Sequence, residues 1–215
     1  MSEETRARER ICLFAASLHA RGYTHGSTGN ISARLDDGRI LVTPTGTSFG
    51  FLDPARLSLL DARGRHLDGD APTKEVPLHT GVYAARQGAA GAVVHLHSHY
   101  AVRLSLMRGI DSENALPALT PYSLMQLGHV RLLPYFRPGD PAMGEAVKAL
   151  DPRVSALILA NHGPVVSAPD LDRAVHAMEE LEATARLAVE TEGRSVRGLT
   201  AAQVSDLVRA FDLEV

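Results

Sequence analysis

The chain has 215 residues, enough for one domain with a full core, and 45% of them are hydrophobic against 22% charged, an ordinary globular balance. A formal net charge of −3 excludes a general electrostatic attraction for nucleic acid or anionic membranes. The single cysteine excludes an intrachain disulfide, and with the charged N-terminus and the lack of a long apolar run it predicts a cytoplasmic protein.

The first part of the chain predicts one helix followed by two hairpins. Apolar residues at helical spacing predict the helix over residues 3–21. Residues 31–35 and 39–43 are predicted as strands joined by an Asp-Asp-Gly turn, and residues 57–60 and 65–67 as a second hairpin. These hairpins argue against a purely parallel sheet and favour a mixed one.

Two loops in this region combine glycines with hydroxyl side chains, at residues 24–32 and 43–48. Glycine lets backbone N–H groups approach an anion closely, and Ser27, Asn30 and Thr45 add side-chain donors. The first loop alone is equally consistent with a plain turn. Two such loops at successive strand edges favour a phosphate pocket, with Gly46 in the second loop.

A third polar segment, Thr73-Lys74-Glu75, precedes a predicted helix. Backbone N–H groups at a helix N-terminus also suit an anion, so we expect Lys74 to contact substrate; a solvated charge pair with Glu75 is the alternative. His79 lies one helical turn after Glu75 on the same face. It either supports that carboxylate or packs as a core histidine, and the core role is the one we expect.

The centre of the chain is a glycine-led apolar run that ends in His95-Leu96-His97. Residues two apart in a strand share one face, so the two imidazoles predict two corners of a metal site. A later apolar run, residues 154–160, ends in Asn161-His162-Gly163. His162 and the Glu75 carboxylate complete a ligand set for a divalent transition metal. The alternative is that these are structural histidines among the ten present.

The remaining pattern predicts alternating helices and strands. Helices are expected over residues 100–107, from about 141 to 150, from about 170 to 193 and from a Thr200 cap to about 211, with strands at 130–133, 154–160 and 165–167. A loop that contains Pro121 and Tyr122 precedes residues 124–127, which are given no element type. The sequence therefore predicts a single α/β domain over residues 1–215, with helices covering a mixed, largely antiparallel sheet. His25, His99 and Arg137 are left without an assigned role.

These motifs together resemble the class II aldolase/adducin family of the fuculose-phosphate aldolase type, over nearly the whole chain to about residue 193. The marks of the family are Gly29-Asn30-Ile31-Ser32, Thr43-Pro44-Thr45-Gly46, Glu75 with its helix, His95-Leu96-His97 and Asn161-His162-Gly163. Thr73 and Lys74 stand where sugar-phosphate aldolases usually show a serine pair, which disfavours a plain aldolase.

Further segments are similar to the 3-oxo-tetronate 4-phosphate decarboxylase branch of that family. They are residues 26–30, 73–75, 120–122, 134–140 and 178–182. The resemblance implies a three-layer α/β/α sandwich and a homotetramer with sites near subunit interfaces. It also implies one divalent metal per subunit, Zn²⁺ with Mn²⁺ or Co²⁺ as alternatives.

The resemblance also assigns roles to individual residues. His95, His97 and His162 are implied as metal ligands, and Glu75 as both the acid/base and a ligand of the metal-free site. Asn30, Thr45 and Gly46 are implied as phosphate contacts, and Ser27, Thr73 and Lys74 are added here as substrate contacts. Tyr122 falls near the position of a proton-donating tyrosine that aldolases take from a neighbouring subunit.

The hypothesis for the reaction is loss of CO₂ from 3-oxo-tetronate 4-phosphate, which gives dihydroxyacetone phosphate through a metal-stabilised enediolate. An aldolase or epimerase acting on a phosphorylated sugar is the first alternative, because an aldolase passes through the same enediolate. A non-catalytic, adducin-like binding module is the second. The partner in the first two cases is a small phosphorylated substrate rather than nucleic acid or membrane.

Overall fold

The computed structural model describes residues 1–213, which form eight strands and seven α-helices. In chain order these are α1 (Glu3–Ala20), β1 (Asn30–Arg34), β2 (Ile40–Val42), β3 (Ser58–Leu60), β4 (His66–Asp68), α2 (Val76–Ala85), β5 (Ala92–His95), α3 (His99–Leu106), α4 (Pro121–Leu127), β6 (Val130–Leu133), α5 (Pro141–Lys148), β7 (Ala156–Leu159), β8 (Gly163–Ala168), α6 (Leu171–Thr191) and α7 (Ala201–Phe211). Within this part of the chain, no helix has the length and apolar character that crossing a membrane requires.

The strands form one sheet in the order β4-β3-β2-β1-β5-β8-β7-β6. Neighbouring strands are antiparallel except for β6 and β7, which run parallel. The prediction of a mixed, largely antiparallel sheet is confirmed. β5 lies near the middle of the sheet, paired with β1 on one side and β8 on the other. Its last residue, His95, therefore lies between Asn30 of β1 and Val165 of β8.

Helices cover both faces of the sheet, which confirms the three-layer arrangement. The larger core packs α1, α3, α4 and α6 against one face, and the smaller core packs α2 and α5 against the other. Successive residues of β5 alternate between them: Val94 belongs to the larger core and Val93 to the smaller. By the same alternation, His95 is on the α2 face of the sheet.

The predicted elements differ from the observed ones mainly at their ends. Pro121 and Tyr122 were predicted in a loop but lie in the first turn of α4. The helix begins there because Thr120 accepts a hydrogen bond from the Ser123 N–H and proline is well suited to the first turn. Short 3₁₀ turns at Phe49–Phe51 and Pro54–Arg56 were not predicted. The predicted Thr200 cap is confirmed, and Gln203 completes a capping box with it.

Candidate metal centre

Polar side chains from β5, the start of α2 and the connection between β7 and β8 meet at one point. His95 is the last residue of β5 and His97 follows two residues later. Glu75 immediately precedes α2, and His162 lies in the tight connection between β7 and β8. Since β5 and β8 are neighbours, the ends of both strands face the start of α2.

The backbone around His162 has a conformation that only certain residues adopt easily. Asn161 has a left-handed φ of 58°, which asparagine tolerates better than most side chains. A Cβ on Gly163 would lie 2.1 Å from the carbonyl oxygen of Leu96, the residue between His95 and His97. The Asn-His-Gly sequence therefore presses the His162 turn directly against the segment that carries His95 and His97.

The four side chains form a compact cluster. One potential ligand atom from each of Glu75, His95, His97 and His162 lies within 4.8 Å of the others. The three imidazole centroids are separated by 5.1, 4.8 and 4.7 Å. The carboxylate bridges two rings, with Oε2 3.3 Å from His95 Nε2 and Oε1 3.2 Å from His162 Nε2.

Hydrogen bonding fixes which nitrogen of His95 faces the cluster. Its Nδ1 lies 2.9 Å from the carbonyl oxygen of Pro164, and because a carbonyl only accepts, Nδ1 carries the proton. The Nε2 lone pair then points at the other ligand atoms. His95 Nε2, both ring nitrogens of His162 and Glu75 Oε1 are buried with no hydrogen-bond partner among residues 1–213. Buried polar atoms without partners are costly. A divalent cation would satisfy His95 Nε2, Glu75 Oε1 and the unprotonated nitrogen of His162, so the residues fit a metal ion.

The protonation states also favour metal binding. Burial, with added repulsion from His95 and His162, lowers the pKa of His97 to about 3. Burial and the same His95 lower the pKa of His162 to about 4. Burial alone raises the pKa of Glu75, but His95, Asn30 and His162 outweigh it and hold the pKa of this carboxyl far below its usual value. At neutral pH the His97 and His162 rings are therefore neutral and the Glu75 carboxyl is ionised, which are the forms that bind a metal ion.

The predicted substrate contacts lie in neighbouring loops. The Thr45 N–H donates to the Ala71 carbonyl at 2.9 Å, and Pro44 pairs with Pro72, so the loop that contains Gly46 lies beside the segment that leads to Glu75. Ser27, Thr45, Gly46 and Lys74 are all exposed. They are available to a ligand, and their roles stay predictions.

Two other predicted substrate contacts are buried and already hydrogen-bonded. The Asn30 side-chain NH₂ donates to Glu75 Oε2 at 2.7 Å and to Thr73 Oγ1 at 3.2 Å. Thr73 Oγ1 also accepts the Glu75 N–H. Within the chain these two residues therefore hold Glu75 in place. Tyr122 lies on α4 and is 62% exposed; its role as a proton donor stays a prediction.

One supporting residue was missed by sequence reasoning. Glu182, on α6, accepts hydrogen bonds from Ser98 Oγ at 2.7 Å and from the backbone N–H groups of Tyr100 and Ala101 at 2.7 and 2.9 Å. It anchors the segment that directly follows His97. The sequence placed Glu182 in a family motif but gave it no role, because the two segments are 84 residues apart.

Comparison with known proteins places this chain in a family. The model described as Class II Aldolase and Adducin N-terminal domain matches residues 9–189. The chain belongs to this family. The predicted resemblance is confirmed, and so is the fold that it implied.

Similar proteins match this member of the class II aldolase family along most of its length. A 3-oxo-tetronate 4-phosphate decarboxylase of Pectobacterium atrosepticum is 44% identical over 207 residues, which cover 96% of this chain and 94% of that protein. A protein of the same name from Escherichia coli K12 is 45% identical over 204 residues, 95% and 96% of the two chains. The crystal structure of YgbL from Escherichia coli superposes with a TM-score of 0.93 at 43% identity, covering 96% of this chain and 99% of that one.

Proposed function

We propose that this class II aldolase family member is a metal-dependent carbon–carbon lyase that converts 3-oxo-tetronate 4-phosphate to dihydroxyacetone phosphate and CO₂. The observation that carries the proposal is the buried cluster of three imidazoles and one carboxylate in a chain 44% identical to a decarboxylase of that name. The cluster supports a metal-dependent reaction, and the similarity to the decarboxylase supports the choice of substrate.

His95, His97 and His162 are the proposed metal ligands, with Glu75 as a further ligand when no substrate is present. Zn²⁺ is the proposed ion, because three neutral nitrogen ligands suit it, and Mn²⁺ or Co²⁺ could replace it. When bound, such a cation supplies Lewis-acid stabilisation of negative charge on substrate oxygens. Three neutral ligands leave its positive charge undiminished.

In the proposed reaction the C1–C2 bond breaks and the carboxylate leaves as CO₂. The bonding electron pair stays on C2 and spreads onto the C3 oxygen, and a proton delivered to C2 completes dihydroxyacetone phosphate. Glu75 Oε1 is the proposed proton donor, since Oε2 is held by Asn30. An anionic substrate beside Glu75 raises its pKa, because like charges disfavour ionisation, and so allows the carboxyl to carry that proton.

The exposed loops are the proposed site for the substrate phosphate and carboxylate. Ser27, Thr45 and Gly46 would donate to the phosphate, with Asn30 and Thr73 beneath them. Lys74 is the proposed partner of the carboxylate, and Arg137 is a second candidate. A Cβ on Gly139 would lie 3.0 Å from the Lys74 carbonyl oxygen, so the loop that carries Arg137 packs against this segment.

We propose that residues 1–215 act as one domain in a cytoplasmic homotetramer, with sites near the subunit interfaces. Tyr122 would then act in a neighbouring subunit's site. Its exposure on α4 leaves the side chain available for such a contact.

A direct assay tests the proposed reaction. The purified protein, loaded with Zn²⁺, is incubated with 3-oxo-tetronate 4-phosphate while CO₂ and dihydroxyacetone phosphate are measured. Equal molar release of both products is expected, and none from protein stripped of metal by a chelator. Absence of CO₂ from the loaded protein would reject the decarboxylase.

An aldolase acting on a phosphorylated sugar is the second candidate, because an aldol cleavage places the same negative charge on the same substrate atoms. The two are separated by incubation with L-fuculose 1-phosphate under identical conditions. Aldehyde release without any decarboxylation would establish the aldolase. Thr73 and Lys74, in place of a serine pair, favour the decarboxylase.

A further inference from the structure

A chain of buried hydrogen bonds runs behind the metal centre from α2 to Glu75. The Tyr83 hydroxyl lies 2.8 Å from Ser32 Oγ, which lies 2.7 Å from His79 Nδ1. His79 Nε2 contacts Asn30 Oδ1, and Asn30 Nδ2 lies 2.7 Å from Glu75 Oε2. Every member of the chain is buried, so no bulk water competes for these bonds.

The chemistry of the groups fixes the direction of each bond. An ionised carboxylate only accepts, so the Asn30 NH₂ must face Glu75 and its carbonyl oxygen must face His79. His79 Nε2 therefore carries the proton, and Nδ1 accepts from the Ser32 hydroxyl. Ser32 Oγ in turn accepts the Tyr83 hydroxyl proton. The orientation of the Asn30 amide at Glu75 thus determines the tautomer of His79.

The dependence also runs the other way: the His79 tautomer influences which way the Asn30 amide faces, and that orientation matters for the site. The two ends of an asparagine amide have nearly the same shape, so packing alone distinguishes them poorly. A flipped Asn30 would set its carbonyl oxygen against the Glu75 carboxylate and its NH₂ against the His79 N–H. Both pairings are repulsive and leave buried groups unsatisfied.

We propose that His79 is a positioning residue: its Nε2–H fixes the Asn30 amide, which holds Glu75 Oε2 and leaves Oε1 facing the metal site. The sequence favoured a plain core histidine at this position. His79 is only 1% exposed, as a core residue would be, but both of its ring nitrogens are hydrogen-bonded. Burial lowers its pKa to about 3, so the ring stays neutral and keeps one N–H. The inference rests on the proposed metal site, but not on the identity of the substrate.

Two substitutions of similar polarity separate this role from simple packing. In His79→Gln the side-chain NH₂ can reach the position of Nε2 and can still donate to Asn30. In His79→Asn the shorter amide reaches only the position of Nδ1, so the contact with Ser32 is retained and the donor to Asn30 is lost. Circular dichroism and thermal unfolding establish that each variant is folded.

The first readout needs no metal. In ¹⁵N-labelled, metal-free protein the Asn30 side-chain NH₂ signal, assigned by its loss in Asn30→Asp, is expected to exchange slowly with water. It should stay protected in His79→Gln and lose protection in His79→Asn. Unchanged protection in His79→Asn would overturn the inference, and so would equal loss in both variants, since that result indicates packing alone.

The second readout is the affinity of the metal-free protein for Co²⁺, followed by its visible absorption. Loss of a residue that orients a ligand typically weakens metal binding about 10–100-fold, which is the fall expected for His79→Asn, with His79→Gln near the wild type. Equal affinities in all three proteins would overturn the inference. If the wild type binds no Co²⁺, the proposed metal site fails, while the NH₂ signal still decides the role of His79.

A third variant covers the case in which His79→Asn does not fold. Ser32→Ala leaves the imidazole in place but removes the donor to Nδ1, so the ring proton is free to occupy either nitrogen. Partial loss of Asn30 protection and a smaller fall in Co²⁺ affinity are expected. Full protection together with wild-type affinity would count against the proposed chain.

Discussion

The two faces of the sheet are built from the same strands but hold different kinds of buried group. On the face covered by α1, α3, α4 and α6, the residues of the central strands are aliphatic, as Val94 and Ile158 show. On the α2 face, the end of β5 presents His95 to Glu75. The first face is held by apolar packing, which has little directional preference. The second face has an apolar core of its own, but its polar end at Glu75 and His95 depends on hydrogen-bond direction and charge. Changes on the first face should therefore lower stability, and changes at the polar end of the second should lower function.

The largest effect is expected at the carboxylate. Glu75→Gln keeps the shape of the side chain but removes its charge and its ability to donate a proton as a carboxylic acid. Activity should fall about 10²–10⁴-fold, the usual contribution of a positioned proton donor. Steady-state kinetics at saturating Zn²⁺ measure this, with thermal unfolding as a control for folding. A variant that retains wild-type kcat would exclude Glu75 as the donor.

On the opposite face, Leu181→Ala opens a cavity in the larger core, where Leu181 is fully buried. The free energy of unfolding should fall by about 2–5 kcal/mol, as is typical of buried leucine truncations. Urea denaturation of the metal-free protein measures it. Co²⁺ affinity of the folded variant should stay at the wild-type value, and a fall as large as that caused by loss of a ligand would remove the contrast between the faces.

A substitution at Glu182 tests the connection between the two faces, because Glu182 joins α6 to the segment that follows His97. Glu182→Gln replaces charged acceptors with one neutral acceptor and a donor that faces N–H groups. Hydrogen bonds to charged groups contribute about 1.5–3 kcal/mol, so unfolding free energy should fall by a similar amount. The same denaturation experiment measures it, and no change would show that solvent replaces these bonds.

The stability of the metal-free protein is expected to change gradually with pH. The pKa of His79 is lowered to about 3, that of His97 to about 3 and that of His162 to about 4. Between these values and the ordinary value near 6.5, the unfolded chain binds more protons than the folded one.

The metal-free protein should therefore lose stability as pH falls through about 6.5 towards 4. The loss approaches at most about 1.4 kcal/mol per pH unit for each histidine. Glu75 acts in the same direction below its ordinary pKa, because its folded value is lower still. Thermal unfolding from pH 7.5 to pH 5 measures the trend, and a stability that rises on acidification would contradict it.

The sequence predicted the apolar parts of the fold and the polar ends of its strands. His95, His97 and His162 lie at the ends of short apolar runs that favour buried strands, and the Glu75 carboxylate precedes a clear helix start. Such signals are local. The prediction that these four lie together rested on their residue types as a ligand set, and the family resemblance supported it. The order of strands in the sheet cannot be read from any single segment.

The supporting groups could not be predicted because their partners are distant in sequence. Asn30 was predicted as a phosphate contact, yet its amide holds Glu75, 45 residues away. Ser32 stands in a family motif but was given no role, and Tyr83 stands in none. Their contact depends on how α2 lies over β1. Whether a buried histidine is packed or hydrogen-bonded is decided by such neighbours, which explains the expectation made for His79.

The most direct test of the account is anomalous X-ray scattering at the zinc absorption edge, from crystals grown with Zn²⁺. The account predicts a single strong peak per chain among His95, His97 and His162, at about 2.0–2.1 Å from one ring nitrogen of each. No peak among these residues, or a peak bound by only one of the three histidines, would contradict the proposed metal centre.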